Sequence, residues 1–184
     1  MNISTRNGAR LGMLAGLGYL IQAVMGLIKP QTEVFSGTSD YILEAVFIIA
    51  LMATIFALLG LNSAAQGHHS NVWTVGLWLA VIGTGLTALS AIATLFAGQN
   101  SLGLAFLGGV LLSLIGYILL GIAALRPKIL PLWGGLALIF GFPLSVFLSS
   151  FGGGILFGLA WLSVGYLLWK QNSAASYPNQ VARI

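Results

Sequence analysis

The chain has 184 residues, of which only 5% are charged, with seven Lys or Arg and three Asp or Glu. Hydrophobic residues make up 58% of it, and the mean hydropathy is +1.00. A soluble domain of this size needs a more polar exterior, so the composition excludes one and indicates a multi-pass membrane protein. The chain contains no cysteine, which excludes disulfides, thiolate nucleophiles and cysteine-ligated metal sites.

Six apolar segments are each long enough to cross a hydrocarbon core about 30 Å thick. In chain order they cover approximately residues 11–28, 41–61, 73–97, 102–125, 129–149 and 152–169. They are apolar on all sides rather than alternating, which favours helices over the strands of a barrel. We therefore predict an all-α bundle of six transmembrane helices over residues 1–170. The polar segment 171–184 has no apolar periodicity and is expected to be a disordered tail.

The positive charges predict an orientation. If the N-terminus is inside, the short cytoplasmic segments hold all of them except Lys29, namely Arg6, Arg10, Arg126, Lys128, Lys170 and Arg183. This asymmetry predicts that both termini are cytoplasmic. The compact loops favour a bacterial cytoplasmic membrane. Charges scattered at helix ends fit anionic lipid headgroups rather than nucleic acid, and no nucleic-acid partner is expected.

The connection between the first two segments and the start of the second contain every side-chain carboxylate: Glu33, Asp40 and Glu44. Asp40 is in the position of a helix N-cap. Glu44 is about one turn inside the second segment, where an ionisable group is costly and is usually paired or faces a wet cavity. Lys29, at the end of the first segment, is its expected ion-pair partner. The alternatives are a boundary ion pair and a proton-titrating or cation-binding group.

The third segment carries a series of hydroxyl side chains, Thr84, Thr87, Ser90 and Thr94. Gln22 is the only amide within a predicted crossing, in the first segment. Together with Glu44 these residues predict an outward-facing polar vestibule between the first three helices. The alternative is that the hydroxyls bond to their own helix backbone and serve close packing.

The loop after the second segment contains His68 and His69. A vicinal pair can bind a metal, but no third ligand is evident, so we expect a solvated pair and predict no metal site. In the fifth segment, Pro143 removes a backbone donor and predicts a kink.

Small residues recur at a spacing of four, at Gly12 and Gly16, at Ala105, Gly109 and Ser113, and at Gly154 and Gly158. Such residues serve packing within the bundle or form a homodimer face. A Gly-Tyr-apolar-apolar element also occurs at residues 18–21, 116–119 and 165–168. It indicates either an inverted three-plus-three duplication, as in many transporters, or chance similarity.

Three classes of function remain open. The first is a non-catalytic membrane protein, either an accessory subunit or a binder of a lipid or other apolar ligand. The second is a small transporter or channel, linked to protons or cations through Glu44. A lipid-modifying enzyme is the weakest, for want of a nucleophile–base pair. Expected partners are membrane lipids, other membrane subunits or a second copy of the chain, and no cofactor is predicted. Trp78 and Trp161 lie deeper in their segments than the interfacial positions, where they either flank an apolar ligand or face lipid or the packed core.

Overall fold

The computed structural model of the chain describes residues 4–29, 34–65, 70–99, 103–125, 130–148 and 151–175, with side chains as far as Gln171. Its six helices are α1 (Thr5–Ile28), α2 (Thr38–Ala64), α3 (Asn71–Ala97), α4 (Gly103–Leu125), α5 (Leu132–Phe147) and α6 (Gly153–Ala175). Each predicted apolar segment coincides with one helix, which confirms the all-α prediction. The helix α6 continues to Ala175, into the segment that was predicted to be a tail. Glu33, His68, His69, Arg126, Lys128 and Arg183 lie outside the described residues.

Five of the helices are long and apolar enough to span a membrane, the pattern of a multi-pass membrane protein. The exception is α5, which has 16 residues and is shorter than the predicted segment 129–149. It begins only at Leu132 because the N-cap residue, Pro131, disfavours helical geometry in the residue that precedes it. The connection to α6 turns at Gly152, whose φ of 81° is readily adopted only by glycine.

The helices form a closed ring in chain order. Each packs on the next, and α6 packs on α1 to complete the ring. The pairs α3–α4 and α1–α6 have the most extensive contacts. Because consecutive helices are antiparallel, α1, α3 and α5 run in one direction and α2, α4 and α6 in the other.

Glycines bring both of these helix pairs into backbone contact. A Cβ at Gly16 of α1 would lie 2.6 Å from Gly158 O of α6, and one at Gly109 of α4 would lie 2.8 Å from Gly83 O of α3. Gly12 likewise faces Gly165. Gly12, Gly16 and Gly109 therefore pack against other helices of the chain, and the homodimer face remains a prediction.

The two glycine-rich pairs interlock in the same way. In α3–α4, Gly76 faces Gly116 O and Leu120 N, and Gly83 faces Gly109 O and Ser113 N. In α6–α1, Gly158 faces Gly16 O and Leu20 N, and Gly165 faces Ala9 O and Met13 N. Gly76 and Gly83 of α3 correspond to Gly158 and Gly165 of α6, with the same difference in residue number in both cases. Ala9 and Gly16 of α1 likewise correspond to Gly109 and Gly116 of α4, with a second constant difference. The pairs α3–α4 and α6–α1 thus share one packing arrangement, as expected of an inverted repeat.

The Gly-Tyr element that raised the idea of duplication has a different register. In the repeated helix packing, Gly16 of α1 corresponds to Gly116 of α4. In the Gly-Tyr element, Gly18 would correspond to Gly116 instead. Its three tyrosines also differ in environment, since Tyr19 and Tyr117 are buried but Tyr166 is 59% exposed. The repeated interlock of α3–α4 and α6–α1, and not this element, carries the internal similarity.

Candidate functional site

The end of α1 is tied to the start of α2 by an ion pair. Lys29 Nζ lies 2.7 Å from Asp40 Oδ1 and 2.8 Å from Ser39 Oγ. The other carboxylate oxygen of Asp40 accepts hydrogen bonds from Ser36 N at 2.8 Å and Ser36 Oγ at 3.1 Å. The N-cap of α2 is Gly37, so the prediction that Asp40 is the N-cap is wrong. From within the first turn, Asp40 instead reaches back to a free backbone N–H, as the acid of a capping box does.

Glu44 lies one turn beyond Asp40 and has a different environment. Its side chain is buried, with 7% exposure. It lies about 9 Å along the axis from the first residue of α2. Among the described residues it forms no hydrogen bond or ion pair. The expected pairing of Lys29 with Glu44 is not formed, because Asp40 is closer to the end of α1 and takes the ammonium group.

Gln22 on α1 lies at a height along the bundle close to that of Glu44 on α2. Gly18 packs on Ala50 at one limit of this part of the α1–α2 pair, and Lys29 pairs with Asp40 at the other. Gln22 lies between these limits on α1 and is half-buried, while Glu44 lies between them on α2. The structure therefore places Gln22 and Glu44 at similar heights along the antiparallel pair α1–α2.

The α3 hydroxyls are not gathered with them. Thr84 Oγ1 lies 3.5 Å from Ser113 Oγ and 3.4 Å from the Tyr117 hydroxyl, both on α4. Thr87 Oγ1 donates to Gly83 O at 3.0 Å, which confirms the backbone-bonding alternative for this residue. Ser90 is buried, and Thr94, near the end of α3, is half-buried. Since α2 lies between α1 and α3 in the ring, Thr84 and Gln22 belong to different helix interfaces.

A second polar cluster occupies the middle of the ring. The Tyr19 hydroxyl lies 3.0 Å from Thr54 Oγ1, which in turn donates to Ala50 O at 2.8 Å. With the Thr84–Ser113–Tyr117 group, this gives buried hydroxyls from four helices. The ring of Phe157 separates the two tyrosines, with centroids 4.7 Å from Tyr19 and 5.6 Å from Tyr117.

This cluster was not predicted from the sequence as a site. In the sequence, Tyr19 and Tyr117 stand out only as members of the repeated Gly-Tyr element. A phenol in the middle of an apolar segment is, however, itself a sign of a polar contact. Trp161 completes the cluster and is 1% exposed, whereas Trp78 is 53% exposed. The indole Nε1 of Trp161 is the one buried side-chain nitrogen or oxygen in the described part of the chain that lacks a hydrogen-bond partner.

Two further predictions concern a kink at Pro143 and the binding of a metal ion. Pro143 lies inside α5, where its ring nitrogen cannot donate to the preceding turn, so the predicted kink remains a prediction. Within the described residues, no group of three His, Cys, Asp or Glu side chains comes close enough to hold a metal ion.

Glu44 is thus an acidic residue of low exposure that has no hydrogen bond or ion pair among the described residues. A carboxylate in such a position can release and take up a proton, or bind a cation through its oxygens. Comparison of the chain with protein-family models, curated proteins and solved structures gives no match.

Proposed function

We propose that this chain is a small transporter of protons or monovalent cations in which Glu44 binds the transported ion. The observation that carries the proposal is the low exposure of Glu44, 7%, without a hydrogen-bond or ion-pair partner among the described residues, on a helix able to span a membrane. Burying an uncompensated carboxylate is unfavourable by several kcal/mol, at an order-of-magnitude level. A bound proton or cation removes that penalty, which gives the site an affinity for one.

The proposal includes six crossings of a bacterial cytoplasmic membrane, with both termini inside and Glu44 near the outer face. The contact Gly16–Gly158 belongs to an antiparallel α1–α6 pair, and Gly76–Gly116 to an antiparallel α3–α4 pair. Since α4 and α6 then run in the same direction, α5 has to carry the chain back across. A helix of 16 residues is about 24 Å long, so we expect local thinning of the bilayer around it.

The packing arrangement shared by α3–α4 and α6–α1 also supports transport. Inverted repeats are a recurrent architecture of secondary transporters, in which one half moves against the other around a central site. The hydroxyls of Tyr19, Thr54, Thr84 and Tyr117 lie in the middle of the ring, beyond Glu44 from the outer end. Hydroxyl groups both donate and accept hydrogen bonds, so they suit a path for protons or a ligand set for a small cation.

Reconstitution of the purified full chain into liposomes tests this function. A pH-sensitive dye in the lumen reports proton entry when valinomycin and a potassium gradient set the lumen negative. Sodium- and potassium-sensitive dyes identify the ion in parallel samples. We expect flux of one of these ions above that of protein-free liposomes. Flux at the protein-free level for all three ions would contradict the proposal.

A binder of an apolar ligand is the second candidate, and the buried Trp161 supports it. Its indole is 1% exposed and lies beside the rings of Tyr117 and Phe157, an environment suited to the apolar body of a ligand. Native mass spectrometry of protein extracted gently from its own membrane tests this: a discrete adduct of ligand size supports it, a protein-sized partner indicates an accessory subunit, and bare protein contradicts both.

A further inference from the structure

Two arginines and one tryptophan meet at the end of the bundle opposite Asp40. Arg6 and Arg10 are one turn apart on α1, and Trp169 is close to the end of α6. The guanidinium carbon of Arg6 is 5.6 Å from the centroid of the Trp169 ring, and that of Arg10 is 5.3 Å from it. Both guanidinium groups therefore lie within 6 Å of the centre of one indole ring.

These two positive charges have no acidic partner in the described part of the chain. Both arginines are exposed, whereas Asp40 and Glu44 belong to the other end of α1 and α2. The chain also begins α1 here, at Thr5, so the positive end of the helix dipole adds to the same potential. Two adjacent cations repel each other, and an anion placed between them removes that repulsion.

The geometry favours a phosphate group as that anion. A guanidinium stacked on an indole keeps its N–H edge free to donate, and its planar fork matches two phosphate oxygens. Two such forks, one turn apart on a helix, can bind a single phosphate from two sides. Trp169 is half-buried, as expected of an aromatic residue at a membrane–water boundary.

An apolar track continues from the arginines along the same face of α1. Arg6, Arg10, Leu14 and Leu17 follow helical spacing, and Leu14 and Leu17 are 46% and 50% exposed. On α6, Tyr166 lies one turn from Trp169 on the membrane side and is 59% exposed. A ligand on this surface would therefore meet charge at one end and apolar side chains along its length.

We propose that Arg6, Arg10 and Trp169 bind the headgroup phosphate of an anionic phospholipid, with its acyl chains along Leu14 and Leu17. Basic clusters between helices on the cytoplasmic side are suited to anionic lipid headgroups. The site is independent of Glu44 and of transport, because it lies at the other end of the bundle. It also places the arginine end of α1 in the lipid leaflet that carries negative charge.

Titration of the detergent-purified full chain with lipid, read by native mass spectrometry, tests the site. Phosphatidylglycerol and phosphatidylcholine with identical acyl chains are compared for the wild type, Arg10→Gln, Arg6→Gln/Arg10→Gln and Lys170→Gln. The lysine variant is the matched control, because it removes one charge from the same end without touching the indole. We expect tighter binding of phosphatidylglycerol, weakened about fivefold by Arg10→Gln and further by the double variant.

We expect Lys170→Gln to bind nearly as wild type. Several outcomes would overturn the site: equal binding of the two lipids, an effect of Lys170→Gln as large as that of Arg10→Gln, or wild-type affinity in the double variant. Displacement of the lipid by inorganic phosphate at equal concentration would also overturn it, since this indicates a site for the free anion. Retention of helical circular dichroism and monodisperse elution by each variant excludes misfolding as the cause of weaker binding.

Discussion

Lys29 Nζ donates to Asp40 Oδ1 at 2.7 Å, and this ion pair joins the end of α1 to the first turn of α2. One turn further along α2, Glu44 is buried without a described partner. The two carboxylates are close in the sequence but differ in role. Asp40 closes the junction between two helices, whereas we propose that Glu44 binds a proton or a cation.

Replacing Asp40 by Ala should destabilise the protein. The change removes the bonds from Ser36 N and Lys29, and we expect the melting temperature to fall. Lys29 is 43% exposed, so solvent screens the ion pair and the backbone bond contributes much of this effect. Thermal unfolding in detergent measures it. The control Ser39→Ala removes one neutral acceptor and should have a smaller effect; an equal effect would argue against the role of Asp40.

Replacing Glu44 by Gln should have the opposite effect and raise the melting temperature at mildly alkaline pH. Glutamine keeps the size of the side chain but carries no charge, so the penalty for burying an uncompensated carboxylate disappears. Asp40→Asn, at the paired carboxylate, should lower the melting temperature under the same conditions. A fall in melting temperature for Glu44→Gln would show that the carboxylate has a stabilising partner after all.

Two glycines two residues apart on α3 should respond differently to alanine. A Cβ at Gly83 would collide with the backbone of Ser113 and Gly109, whereas one at Gly85 meets nothing within 4 Å. We expect Gly83→Ala to destabilise by about 1–3 kcal/mol and Gly85→Ala to change stability by less than about 1 kcal/mol. The repeated packing predicts that Gly165→Ala behaves like Gly83→Ala. Equal melting temperatures for Gly83→Ala and Gly85→Ala would contradict the tight α3–α4 interface.

The buried Tyr19 hydroxyl should contribute measurably to stability. Tyr19→Phe removes its hydrogen bond to Thr54, and we expect a loss of about 0.5–1.5 kcal/mol. Tyr166→Phe is the matched control, because that tyrosine is exposed. A double-mutant cycle with Thr54→Val isolates the pair, and a coupling energy of zero would show that the two hydroxyls do not interact.

The positions of the helices could be predicted because hydropathy is a property of each segment alone. The partner of Lys29 could not, because it depends on where α2 begins. With Thr38 as the first helical residue, Asp40 comes within reach of the end of α1, and Glu44 is one turn too far. The orientation of Thr84 toward α4 likewise depends on the rotation of α3, which an evenly apolar helix surface does not reveal.

The hypothesis of an internal duplication shows a similar limit. The Gly-Tyr element indicated an inverted repeat, but its register differs from the one in which the backbones interlock. Close contact between helices depends on the absence of a side chain, as at Gly83 and Gly165, and glycine is too common in this chain for such positions to stand out. Only the pairing of α6 with α1 identifies which glycines correspond.

The most direct test of the central claim is ion flux into liposomes that contain either wild-type protein or Glu44→Gln at matched protein-to-lipid ratios. If Glu44 binds the transported ion, Glu44→Gln should reduce the flux to that of protein-free liposomes, and Glu44→Asp, which retains a carboxylate, should keep part of it. Wild-type flux in Glu44→Gln would contradict the account, because transport would then proceed without the buried carboxylate.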